Sequence, residues 1–419
     1  MKITPSGPNT MRNFVAAMLE MSFWYMAMSF VFSSTVLPLY ANYLTSSTVL
    51  IGLVSSTNQM SFVAPQLFSA PHIERLKTKM PFVIKATLME RLPFFFVAIP
   101  VFFLHSIPKP VSYGILLFSL ALAQGSGGLA APAWKAALAK AIPVERRALL
   151  FSLGSAFGGF LGIAGAFIAR YVLKMYSYPI SFGICFALAG AANMVSWVQM
   201  FFIKEPKKPP EITAEPLRRY LRSLPRVLRS DTNFFRYLVS QFLIVFGGMG
   251  VSFYVLYTKQ KFGTDDAFVA NLTVVALATQ SAGIPLFGWL SDRKGHKWLG
   301  TSGALVGCLG AVGILLAPAS QWIYSVFILA NLSKEFLNVS RQSITMEFCD
   351  PDKLPTYTAL ANTTLAVPFL VAPVFAGWII DVMSYQLAFV LSALFFLAGW
   401  FVLKWLVRDP RTDNGPSAR

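Results

Sequence analysis

Apolar runs of about 20 residues recur along the whole of this chain, and nothing in it constrains the fold more. A helix of that length crosses a hydrocarbon core of about 30 Å. Twelve such runs are expected, at 14–41, 48–70, 81–104, 111–139, 149–172, 179–203, 234–258, 267–290, 298–317, 322–346, 357–381 and 385–406. Inside lipid the backbone must satisfy its own hydrogen bonds, and runs this long suit helices and not barrel strands. The expected fold class is therefore all-α integral membrane, with twelve transmembrane helices. Composition agrees, since 55% of the 419 residues are hydrophobic, 13% are charged and 38 are Phe, a balance for which lipid and not water is the main solvent. The start, MKITPSGPNTMRN, is polar, and no small-residue cleavage pattern closes the first apolar run, so a retained first helix is expected.

The basic residues set the orientation. With the N-terminus in the cytoplasm, the inner segments hold 25 of the 35 Lys and Arg, the outer ones hold 5 (Lys109, Arg170, Lys174, Lys259, Lys261), and the rest lie within helices. That asymmetry predicts both termini cytoplasmic, in the plasma (inner) membrane. The net charge of +17 is thereby a matter of topology, with the basic loops facing anionic lipid. No nucleic-acid partner is expected, because the charges are spread over several loops and build no recognition module. Cys185, Cys308 and Cys349 suit packing positions or free thiols better than a disulfide framework or zinc site.

The longest polar stretch, 204–233, divides the chain into an N-terminal six-helix half (1–203), a cytoplasmic linker, a C-terminal six-helix half (234–406) and a cytoplasmic tail (407–419). Within the linker Leu217, Tyr220, Leu221, Leu224 and Leu228 share a helical face while arginines occupy the rest, so an amphipathic helix on the inner leaflet is expected. The halves echo one another. Ala123-Gln124-Gly125-Ser126 aligns with Ala330-Asn331-Leu332-Ser333, and Glu74-Arg75 with Lys79 aligns with Asp292-Arg293 with Lys297. Such duplication places a substrate site where two repeats meet, near the bilayer midplane.

The segment GWLSDRKGHK, Gly288 to Lys297, falls between the eighth and ninth runs. It resembles the signature loop of the major facilitator superfamily, G-x-x-x-D-R-x-G-R/H-R/K, at Gly288, Asp292, Arg293, Gly295, His296 and Lys297. With the six-plus-six division, the resemblance covers the whole chain. It implies that fold, with two pseudo-symmetric halves, and a gating role for this loop and its first-half echo at Glu74, Arg75 and Lys79. Asp292 would face the start of span five, and Glu74 the start of span eleven, each carboxylate meeting the positive end of a helix. The chain departs from the family pattern in places. The echo has Ala70 and Lys77 in place of glycines, and Ala121 stands where the span-four motif, kept here as Gln124-Gly125-Ser126-Gly127, often has arginine. GSAFGGFLGIAG in span five resembles the glycine-rich antiporter helix without its proline, and small residues at this spacing suit a close helix contact.

Span ten carries Asn331, Lys334, Glu335, Asn338, Arg341, Gln342 and Thr345 in a 3-4-3-4 rhythm, hence on one face. Ionised side chains near mid-bilayer cost on the order of 2.5 kcal/mol or more each and normally face a bundle interior or aqueous cavity. The superfamily resemblance implies that spans one, four, seven and ten line that cavity. Lys334 and Glu335 are therefore expected on a substrate or proton pathway, with Asn331 and Asn338 as hydrogen-bonding neighbours. Gln124, Glu20, Trp24, Gln241 and Tyr254 are further candidates on spans one, four and seven. Glu90 and Arg91 in span three have burial against a neighbouring helix as their default reading.

The expected function is secondary active transport of a small-molecule solute by alternating access, with protons as the candidate coupling ion, membrane lipid as surroundings and a monomeric state. No phosphate-binding loop, metal or cofactor is expected: the histidines, His72, His105 and His296, are dispersed. A membrane solute sensor with this fold is the alternative, and a membrane-embedded enzyme a more distant one.

Overall fold

The computed structural model describes residues 9–74, 76–103, 107–206, 231–349 and 354–410. The amphipathic linker helix expected within 204–233 lies almost wholly outside them. The described residues are helical, in the order α1 (Thr10–Phe30), α2 (Val36–Leu44), α3 (Thr48–Glu74), α4 (Met80–Arg91), α5 (Pro93–Phe103), α6 (Lys109–Ala141), α7 (Val144–Met175), α8 (Ile180–Met200), α9 (Thr232–Gly247), a 3₁₀ segment (Gly248–Phe253), α10 (Tyr254–Phe262), α11 (Asp266–Lys294), α12 (His296–Leu316), α13 (Trp322–Glu347), α14 (Leu354–Val382) and α15 (Tyr385–Phe401), which runs into a π turn (Val402–Leu406).

Each of the twelve expected runs coincides with helix, and runs one, three and seven are each built from two pieces. The breaks have local causes. In run three, Pro93 begins α5 at the position where a missing N–H costs nothing, after a turn closed by Phe95 N donating to Leu92 O. In run seven, Gly247, Gly248 and Gly250 allow the tighter 3₁₀ winding, and Gly263, with φ of 65°, ends α10 in the left-handed conformation. Gly295, with φ of 97°, makes the turn between α11 and α12 inside the signature loop.

By length and apolarity, seven of the described helical stretches can cross a membrane. They belong to runs four, five, six, seven, nine, eleven and twelve. The other runs are either split or carry polar residues, such as Ser55, Ser56, Thr57, Asn58 and Gln59 of α3. Large apolar side chains, among them Phe118, Phe160, Leu316 and Trp405, point outward along the helices, which suits contact with lipid and not water.

Packing groups the chain into two compact units. Unit 1 comprises 1–32, 61–215 and 266–277, and unit 2 comprises 33–60, 216–265 and 278–419. Unit 1 has a core that includes Phe14, Ala17, Val83, Ala137 and Leu150. Its α7 lies against α1 through glycines: a Cβ at Gly154 would stand 2.9 Å from the Met21 sulfur, and one at Gly158 2.5 Å from the Tyr25 ring. The glycine-rich stretch is thus a close helix contact. Unit 2 has a core that includes Phe234, Tyr237, Ile344, Phe396 and Leu403. There the first part of α3 lies on α14, with Gly52 against the Pro373 backbone and Gly377 against that of Thr48.

Candidate functional site

In unit 1 the polar residues of α1 meet the end of α4. Glu20 and Trp24 are one helical turn apart and so share a face. Arg91 places Nη2 3.6 Å from Glu20 Oε1 and Nη1 2.6 Å from Glu90 Oε2, and Trp24 Nε1 donates to Glu90 Oε1 at 3.0 Å. Arg91 also donates from Nη1 to Thr87 O. Arg91 is 1% exposed and Glu20 5%, while Glu90 is only partly buried, so a guanidinium out of reach of water is shared by one buried carboxylate and one that keeps some contact with the surroundings. Gly127 of α6 makes room for this arrangement, because a Cβ there would come within 3.0 Å of the Glu90 carboxyl carbon. Gln124, one turn earlier on α6, is partly buried. Glu90 and Arg91, whose default reading was plain burial, are thus the partners of Glu20 and Trp24. The signal was present in an adjacent acid and base within an apolar run.

In unit 2 the polar face of α13 is divided by its partners. Glu335 is 6% exposed and accepts from Gln280 Nε2 of α11 at 2.7 Å, so its hydrogen-bond partner is this amide and not Lys334. Lys334 is exposed, because consecutive helical residues point about 100° apart. Asn331 is buried and donates to Phe327 O of its own helix. Asn338 Oδ1 accepts from Arg341 Nη2 at 2.9 Å, and the Arg341 guanidinium lies 5.6 Å from the centre of the Phe369 ring. Thr345 donates to Arg341 O. The Gln342 side chain is outside the description. Gln241 is buried on α9, and Tyr254 packs edge-on against Phe327 and Phe389, as a packing residue does. Gln280 is the residue here that sequence reading missed; it lies between Thr279 and Ser281, and no charged residue shares its run to draw attention to it.

The signature loop is tied down from several sides. Ser291 Oγ and His296 Nδ1 are 2.5 Å apart, His296 Nε2 lies 3.4 Å from Glu347 Oε1, Ser340 donates to His296 O, and Lys297 donates to Lys404 O at 3.0 Å. Arg293 is exposed. Gly288 lies within α11, but the side chains of Asp292 and Glu74, and all of Arg75, fall outside the description, as do several side chains at their expected receptors. In the first-half echo, Lys79 and Met80 donate their backbone N–H groups to Glu205 Oε2, whose other oxygen lies 3.5 Å from Lys140 Nζ. Glu205 therefore binds the first turn of α4, a role not foreseen from its place at the start of the linker.

At the other end of unit 2, Asp381 near the end of α14 grips the start of α3. Its carboxylate accepts from Thr48 N at 3.0 Å, Thr48 Oγ1 at 2.7 Å, Ser47 Oγ at 3.0 Å and Val49 N at 3.2 Å. A carboxylate in this position satisfies N–H groups that have no partner within the helix and meets the positive end of its dipole. Among the described residues no group of His, Cys, Asp or Glu gathers as a metal would require.

Comparisons place these features in a family. The family model of the Major Facilitator Superfamily matches residues 14–259 and 237–419. A solved bacterial homologue of the human lysosomal transporter Spinster, in an inward-facing and unoccupied conformation, aligns with a TM-score of 0.71 at 13% identity, covering 97% of this chain and 99% of that one. A D-xylose–proton symporter aligns with a TM-score of 0.69 at 15% identity, covering 96% and 98%. Likeness at these identities speaks for the fold. Among curated proteins, the chloramphenicol resistance protein CraA of Acinetobacter baumannii is 32% identical over 120 residues, which make up 28% of this chain and 29% of that protein. The match thus spans less than a third of that relative. The chain belongs to the Major Facilitator Superfamily and is a multi-pass membrane transporter, not an enzyme.

Proposed function

We propose that the protein is a secondary active transporter that moves a small solute by alternating access, driven by a proton gradient. It works as a monomer in the plasma membrane, with both termini cytoplasmic. The observation that carries this reading is the Asp381 clasp. In the proposed topology it lies on the outer side, where α3 of the first sequence half meets α14 of the second. Helix caps of this kind are worth on the order of 1 kcal/mol. A polar clasp of that strength holds one arrangement while leaving it reversible. The polar groups of α13, with Lys334, Glu335, Asn338 and Arg341, offer both charge signs and amides to a polar or amphiphilic solute.

The local likeness to a chloramphenicol resistance protein puts chloramphenicol among the first compounds to test. A thermal-shift screen of the purified chain against metabolites and antimicrobials, run beside Lys334→Ala and Glu335→Gln, identifies a ligand; at about 100 times its dissociation constant it stabilises the protein by about 2.7 kcal/mol. Flux of that ligand is then measured in proteoliposomes carrying the Ser47→Cys/Asp381→Cys pair. Oxidation is expected to stop flux and a reductant to restore it. Full flux through the cross-linked protein sinks alternating access at this clasp, and binding without flux in wild type turns the reading to a sensor.

A further inference from the structure

We propose that the groove between α5 and α6 of unit 1 is a binding site for a neutral phenol dissolved in the membrane, whose hydroxyl pairs with Ser119. The proposal goes beyond transport and does not depend on it.

A proline and a glycine open the groove. Pro100 stands inside α5, where its ring interrupts the helical hydrogen-bond ladder. Gly114 of α6 presents no side chain, and a Cβ there would meet nothing within 4 Å. The two residues line a groove of about 590 Å³ together with Phe96, Ile99, Phe118 and Ser119. That volume suits a ring system of drug size. Phe96, Ile99 and Phe118 are exposed, so the groove opens toward lipid.

Two polar groups set it apart from a plain apolar seam. Ser119 is 3% exposed, and its Oγ has no hydrogen-bond partner. Ser22 and Ser240, on other helices, turn back to a carbonyl of the preceding turn, Met18 O and Tyr237 O. Ser119 does not, and it lines the groove instead. It lies roughly 15 Å along α6 from Lys109, a depth at which no water is at hand to satisfy it. Pro100 supplies the second group. Having no N–H, it leaves the Phe96 carbonyl without its usual helical donor.

These groups define the ligand. A hydroxyl both accepts and donates, so it is complementary to the Ser119 O–H and to the Phe96 carbonyl alike. An acyl chain offers neither function, and an ionised solute is costly at this depth. The rings of Phe96 and Phe118, one from each helix, favour an aromatic body over an aliphatic one. A neutral phenol meets all three conditions.

The test uses full-length protein in lipid nanodiscs, irradiated with a diazirine-bearing alkylphenol, with the labelled peptides located by mass spectrometry. Saturable labelling is expected on α5 and α6 around Pro100 and Gly114. Unlabelled alkylphenol should displace it at about tenfold lower membrane concentration than the matched alkylbenzene, on the order of one buried hydrogen bond. Gly114→Leu fills the groove while exchanging glycine for a better helix former, so this variant is expected to fold and to lose the labelling. Ser119→Ala should keep the labelling and narrow the preference for phenol. Labelling that never saturates and spreads over the lipid-facing surface is adventitious partitioning, and in wild type alone it overturns the proposal. Equal displacement by phenol and alkylbenzene does so too, and would leave the groove to acyl chains. Labelling that persists in Gly114→Leu, or an unchanged preference in Ser119→Ala, has the same consequence. Solute flux is not read, so the result stands apart from the fate of the transport reading.

Discussion

At the scale of single residues, Arg91 is a buried cation of unit 1 held between two acids. It is the largest of the side chains with under 2% exposure. Removing one partner from a buried ionic group typically costs about 3–5 kcal/mol, because the charges left behind are uncompensated. Arg91→Met is thus expected to destabilise the protein by that order, measured as denaturant or thermal unfolding in detergent, while Glu20→Gln combined with Arg91→Met should recover part of the loss. Equal stability of the single and double variants would contradict the shared-guanidinium geometry. Glu20 and Trp24 were legible as a pair because helical periodicity puts them on one face. Their partners were not, because α1 and α4 are distant in sequence and only packing brings them together. The same holds for Gln280 and Glu335. The polarity of α13 was plain in its rhythm, but that rhythm does not reveal that Glu335 turns to α11 while Lys334 stays exposed.

At the scale of elements, the glycines separate contacts from open surface. Gly52 of α3 and Gly377 of α14 lie where backbones touch, whereas a Cβ at Gly114 of α6 would meet nothing within 4 Å. Overpacking a tight contact costs about 1–3 kcal/mol. Gly to Ala at an open helical site instead gains roughly 0.5–1 kcal/mol. Gly52→Ala and Gly377→Ala are therefore expected to lower the unfolding midpoint, and Gly114→Ala to leave it unchanged or raise it. If all three shift alike, the α3–α14 contact is not the close one described. The α7 stripe could be read from sequence because four small residues at helical spacing point to a neighbour. Gly52 and Gly377 are single glycines in apolar runs and carry no such pattern. The breaks in runs one, three and seven were also missed, since average apolarity is blind to a local Pro or Gly turn.

At the scale of the whole molecule, twelve expected runs stand against seven helical stretches that pass on length and apolarity. Five runs make the difference, and four of them carry charged or hydrogen-bonded candidates: α1 with Glu20, α4 with Glu90 and Arg91, α11 with Gln280 and α13 with its polar face; the fifth is α3 with its polar stretch from Ser55 to Gln59. A transporter must place polar groups inside lipid-depth helices, so its working spans score worst on the property that defines a span. The two counts make opposite predictions about the ends of the chain. Twelve crossings put both termini on one side, and seven put them on opposite sides. Met11, Lys174 and Arg408 are exposed, so each can be replaced singly by cysteine in a background lacking Cys185, Cys308 and Cys349. With an impermeant thiol reagent added outside intact cells, Lys174→Cys is expected to react, while Met11→Cys and Arg408→Cys react only after the cells are opened. Labelling of one terminus and not the other would leave an odd number of crossings and remove the two-half architecture. Labelling of both termini from outside, with Lys174→Cys protected, would keep twelve crossings but invert them, and the Asp381 clasp would then close the cytoplasmic side.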